Sequence, residues 1–158
     1  MKKLFLSAAA ALMAVLCVDA QVRIESPHPD LDVKITRCAY ASGTVVVDFI
    51  ITNFGGEEKF EVYGSHSSAT TTAYDDEGNQ YTRINSELSV GLLSQGLSNS
   101  YKEMVLPQDI PMKFRVQVKN VSAQASKFPL LKVSMRSFGA MGLSKEKPIL
   151  IRNLEWAK

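Results

Sequence analysis

Little in this sequence belongs to the residue types that usually carry chemistry. Its 158 residues include two cysteines, two histidines and one tryptophan. Two cysteines exclude a disulfide-dense scaffold. The Cys and His residues show no metal-ligand spacing, so no zinc site is predicted. Charge of one sign is also missing: eighteen Lys and Arg stand against sixteen Asp and Glu, a formal net of +2. Without a strongly basic face, nucleic acid is not an expected partner. Only one apolar run is long enough to discuss, which excludes a polytopic membrane protein. The chain has no internal repeat, no low-complexity linker and no stretch of ten or more residues with convincing 3.6-residue periodicity. With 46% hydrophobic and 22% charged residues it is neither disordered nor collagen-like.

The apolar run sits at the N-terminus. Lys2 and Lys3 precede an uncharged stretch from Leu4 to Leu16, followed by Cys17-Val18-Asp19-Ala20. Thirteen residues of helix at about 1.5 Å each reach roughly 20 Å, short of a hydrocarbon core of about 30 Å. Val18 and Ala20 fit the small-x-small pattern of a signal-peptidase site. Residues 1–20 are therefore read as a signal peptide, 21–30 as a lead-in and 31–158 as one domain. A lipoprotein would use Cys17, but Leu16 stands where a small residue is expected. The exported chain would be periplasmic or secreted, with no stable membrane span after cleavage. Only Cys38 survives processing, and it is read as a small buried hydrophobe rather than a reactive thiol.

Beyond the lead-in, with its Pro27 and Pro29, the pattern turns to period two. Val45, Val47, Phe49 and Ile51 share one face of Thr44 to Asn53. Met112, Phe114, Val116 and Val118 alternate with Lys113, Arg115, Gln117 and Lys119. Leu131 to Arg136 and Ile149 to Arg152 alternate likewise. Asp32 to Tyr40 goes out of phase after Ile35, and a bulge at Thr36-Arg37 restores its register. Phe60–Tyr63, Ala69–Tyr74, Asn79–Ile84 and Tyr101–Leu106 are further strands. Ser42-Gly43 and Asp75-Asp76-Glu77-Gly78-Asn79 are turn signals. Ser86 to Leu97 is ambiguous, since Leu88, Leu92 and Leu93 also fit a helical turn. Eight or nine short strands in one all-β domain predict an antiparallel β-sandwich.

The run Val33-Lys34-Ile35-Thr36-Arg37-Cys38, then Gly43, then Val45 to Asn53 and Gly55, resembles the opening hairpin of bacterial extracellular immunoglobulin-like domains of unknown function. These occur in secreted proteins and lipoproteins. Ala73 to Tyr81 resembles their D-x-x-G-x-x-Y hairpin, and Leu106-Pro107 precedes a matching strand at Met112 to Val118. The resemblance covers most of Val33 to Val133. It implies an immunoglobulin-like sandwich and supplies no catalytic residue.

The sites left to consider are surfaces. There is no G-x-S-x-G elbow, and Ser65-His66-Ser67 reads as a polar loop. Asp75, Asp76, Glu77 and Asn79 offer oxygens but do not match a calcium loop. No metal or cofactor is predicted. Two loops combine glycine with large apolar residues: Val90 to Leu97, with Leu92 and Leu93, and Phe138 to Leu143, with Met141 and Leu143. If exposed together they form a contact patch; otherwise they cap the core. Lys113, Arg115 and Lys119, joined by Lys132 and Arg136 if their strands are neighbours, offer a basic face. The expected function is non-catalytic: binding or envelope structure through loops or a sheet edge, with an envelope protein or glycan as partner. The alternatives are a small envelope hydrolase or enzyme inhibitor with a spatially assembled site, and assembly through an unpaired edge at Ile149 to Leu154. N-terminal sequencing of the exported protein is expected to begin at Gln21; an intact Met1 would refute the processing site.

Overall fold

The alternation along Thr44–Asn53 sets the framework. In the computed structural model, which describes residues 21–66, 69–85, 87–142 and 147–157, this strand buries every second side chain. The predicted signal segment and Leu143 lie outside the described residues.

Among those residues the chain forms thirteen strands and no helix. They are β1 (Arg23–Glu25), β2 (Leu31–Ala41), β3 (Thr44–Asn53), β4 (Glu58–Tyr63), β5 (Ser65–His66), β6 (Ala69–Thr70), β7 (Thr72–Tyr74), β8 (Gln80–Tyr81), β9 (Leu88–Leu92), β10 (Tyr101–Leu106), β11 (Met112–Val118), β12 (Lys127–Ser137) and β13 (Ile149–Glu155). The smaller main sheet runs β2-β3-β11-β9, and the larger runs β1-β13-β12-β4-β10, with β7 and β8 attached to β12. All strand pairs in both are antiparallel. The apolar faces meet to form an antiparallel β-sandwich. Phe49 and Phe114, opposite each other in the β3–β11 register, stack at 5.5 Å and are 1% and 0% exposed. A ring of this size contributes about 3 kcal/mol or more when wholly buried.

Local chemistry explains the joints. The β2–β3 turn has positive φ at both Ser42 (48°) and Gly43 (77°). That is the twist a two-residue hairpin needs. The register shift between Ile35 and Arg37 is the bulge that the phase change required, and it turns Cys38 and Tyr40 back against the core. Strand β12 is shared along one edge by two partners. Ser134–Ser137 pair with β4, and Leu130–Lys132 with β7. Between those partners the chain leaves the sheet as the β5–β6 hairpin and returns. Thr71 closes the excursion: its N–H donates to the Gly64 carbonyl at 3.0 Å, its hydroxyl donates to the Tyr63 carbonyl, and it accepts from Ser134 N–H at 3.2 Å.

Several sequence expectations change: Ala69–Tyr74 is split at Thr71, only Gln80–Tyr81 of Asn79–Ile84 is strand, and the strands number thirteen rather than eight or nine. Ser86–Leu97 contains a strand, not a helical turn, because β9 pairs with β11 and buries Leu88, Val90 and Leu92 at period two. The lead-in is not wholly irregular: β1 pairs with Leu150–Arg152, and Ala157 bridges to Ala39. The edge of β13 is thus occupied, and assembly through it loses its premise. Finally, Lys132 and Arg136 lie on the larger sheet while Lys113, Arg115 and Lys119 lie on the smaller one, so the five do not form one basic face.

The Asp75–Tyr81 hairpin is a structural device. Asp75 is 3% exposed and accepts from Glu77 N–H (3.0 Å), Asn79 N–H (2.8 Å), the Asn79 side chain (2.9 Å) and Tyr81 hydroxyl (2.6 Å). The Tyr81 oxygen in turn accepts from Ser122 N–H at 3.2 Å. Burial pushes the Asp75 carboxyl up, but these donors outweigh it and hold the pKa below the ordinary 3.8. A depressed folded-state pKa stabilises fully above the unfolded value and loses that contribution as pH falls through the folded one. Urea melts are expected to show Tyr81→Phe costing about 1.5–3 kcal/mol. They should also show a shallower loss of stability below about pH 4 in Asp75→Asn than in the natural chain. Equal acid slopes would contradict this account.

Candidate functional site

One end of the sandwich gathers the termini of strands from both sheets. Leu31 opposes Asn53, Met112 opposes Ile51, Leu106 opposes Glu58 and Ser137 opposes Phe60. The lead-in, the β3–β4 loop and the start of the β12–β13 connection therefore emerge together.

Asn53 ties them down. It is 1% exposed. Its amide nitrogen donates to the Gly56 and Leu106 carbonyls at 2.8 and 3.3 Å, and its side-chain oxygen accepts from Gly55 N–H at 3.0 Å. Next to it, Phe54 N–H donates to the Asp30 carbonyl at 2.8 Å. The lead-in is a tight turn: Ser26 hydroxyl donates to the Leu31 carbonyl at 2.6 Å and Leu31 N–H to the His28 carbonyl at 3.1 Å. Asp30 N–H donates to His28 Nδ1 at 3.2 Å. The ring nitrogen facing Asp30 is thus an acceptor, and a neutral His28 carries its proton on Nε2.

These segments enclose a cleft of about 280 Å³ lined by His28, Asp30, Glu57, Glu58, Ala140, Met141 and three glycines. Glu58 is its most unusual member. It stands in phase with Phe60 and Val62 on the inward face of β4 and is 8% exposed. One carboxylate oxygen, Oε1, accepts from Met141 N–H at 2.6 Å. The other, Oε2, is buried without a hydrogen-bond partner. A side chain at Gly139 would collide with this carboxylate. Met141 and Asp30 both close on Gly55: a Cβ there would lie 3.4 Å from Met141 Cε and 3.5 Å from Asp30 Oδ2.

The residues singled out from sequence have different fates. Leu92 is a core residue at 2% exposure, because β9 continues through it, while Leu93 just beyond is 37% exposed at the same end of the molecule. Met141 is half-buried and walls the cleft. Lys113 is exposed on the outer face of the smaller sheet. Arg115 is held by Asp48 through two parallel contacts at 2.6 and 2.9 Å. Lys119 is paired with Glu87. That last pair flanks a larger, shallow groove of about 490 Å³ with Ser89 and Leu97. The groove's charges answer each other, whereas the smaller cleft keeps a carboxylate oxygen with no donor. Sequence reading missed His28, Asp30 and Glu58. The available signal was a glutamate at a core-facing position of a strand.

Cys38 is half-buried against the core, and burial pushes its thiol up to about 12. No family model, curated protein or solved structure matches this chain. Near neutral pH the native thiol is expected to react with an aromatic disulfide reagent about a hundredfold or more slowly than the urea-unfolded chain. Equal rates would show that the thiol is open to solvent.

Proposed function

We propose that this chain is an exported, non-catalytic binding domain of the cell envelope, built on an immunoglobulin-like sandwich and making its contacts through the loop-built end. The observation that carries the reading is the convergence of three separate segments into one concave site on a rigid two-sheet frame. Loops presented by such a frame are where binding residues concentrate.

Strand order supports the immunoglobulin-like part. The order β2-β3-β11-β9 occupies the places of strands A, B, E and D, and β13-β12-β4-β10 those of G, F, C and C′. The chain fills the D place before the C′ place, a departure from the usual path. In this correspondence the β3–β4 and β12–β13 connections are the B–C and F–G loops, which antibody variable domains use for contact. The hydrolase alternative has one observation behind it, a histidine and carboxylates in one cleft. Against an acyl-transfer hydrolase, none of the cleft-lining residues is a serine, threonine or cysteine nucleophile.

The test is a pull-down from detergent-solubilised envelope of the source cell with the tagged chain from Gln21 to Lys158. A stoichiometric envelope protein or glycan should be retained by the natural sequence and by Lys113→Ser. Retention should fall about tenfold with Leu93→Ser and Met141→Ser combined. Undiminished retention by the double variant, or no ligand in repeated trials, would sink the proposal.

A further inference from the structure

We propose that the Glu58 cleft is a receptor for a primary alkylammonium group, the chemistry of a lysine side chain. This rests on the loop-end reading of the site and names what the site takes.

Two observations carry it. Asp30, Glu57 and Glu58 make the cleft acidic, with no Lys or Arg among its lining residues. Independently, Glu58 is more than nine-tenths buried and holds Oε2 without a hydrogen-bond partner. A buried carboxylate oxygen with no donor is costly unless a ligand supplies one. A cation in the cleft would do so.

The geometry selects among cations. A guanidinium recognises a carboxylate by engaging both oxygens at once in a planar fork. Here Oε1 already accepts from Met141 N–H and only Oε2 lacks a donor, so the unmet need is for a single donor rather than a two-oxygen fork. An ammonium is a compact charge with three separate donors. It can give one to Glu58 Oε2 and keep the others for water or neighbouring acceptors. A hard metal ion needs several oxygen ligands in one shell. Among the described residues no three His, Cys, Asp or Glu side chains stand close enough together to hold one. The stem of the ligand has its own surface, since Met141 and Ala140 form the apolar part of the wall.

The experiment titrates the chain from Gln21 to Lys158 with n-butylammonium and, separately, with N-acetyl-lysine methylamide, following backbone resonances of Gly56 and Met141. Calcium chloride and the side-chain-acetylated lysine amide are run alongside. Both ammonium probes should bind in the cleft, acetylation should weaken binding at least about tenfold, and Glu58→Gln should abolish it. A thermal melt of the same variant without ligand separates lost binding from lost folding, since the Gln side-chain oxygen can still accept from Met141 N–H. Binding of butylammonium but not of the lysine amide would still support the proposal and point to a small free amine. Equal binding of the acetylated compound, binding that survives Glu58→Gln, saturation by calcium instead, or no shift with either ammonium would overturn it. If the envelope pull-down succeeds while ammonium binding fails, only this inference falls. If ammonium binds the cleft while no envelope partner is retained, this inference stands and the module reading falls.

Discussion

The loop-built end depends on one buried amide. Asn53 is the last residue of the longest uninterrupted alternating strand, and its side chain satisfies groups from the β3–β4 loop and from β10 together. Buried amides are acceptable only when their donors and acceptors are answered, and answered ones fix their surroundings. The position of Glu58, five residues on, follows from that anchoring. So does the placement of the lead-in, because the loop that Asn53 shapes holds the Asp30 carbonyl through Phe54.

The sandwich was legible because its signal is periodic and local. Thr44–Asn53 and Tyr101–Leu106 have the bounds that alternation and turn residues predict. The bulge in β2 was readable as a phase change between Ile35 and Cys38. β9 was ambiguous because Leu88 and Leu92 fit both periods while Leu93 fits only the helical one, and pairing with β11 decides between them. The two-residue strands β5 and β6 are too short to have a period at all.

The cleft was less legible, for a different reason. Met141 lies 83 residues from the glutamate that receives its N–H, and no spacing rule joins positions that far apart. The conflict shows once β4 is seen to begin two residues before the predicted Phe60–Tyr63 strand, which puts a charged residue on its inward side. Local choices that contradict the fold tend to mark functional or strained sites. The opposite holds at Asp75–Tyr81, where an acidic turn that looked like a possible ligand site is consumed by its own hairpin.

The excursion between β4 and β7 has an evolutionary consequence. The sheet register is held on both sides of it, by Tyr63 opposite Ser134 and by Thr72 opposite Lys132, and the gap is sealed at Gly64 and Thr71. Beyond that seal the hairpin still grips the frame, through buried Ala69, the Thr70 carbonyl that accepts from Ser134 hydroxyl and the Ser65 N–H that donates to the Ser100 carbonyl. Doubling the length of such a loop adds only about 0.6 kcal/mol of closure cost. Between His66 and Ala69, then, relatives of this chain can lengthen or shorten at little cost, and a foreign peptide can be spliced in there and displayed without rebuilding the domain.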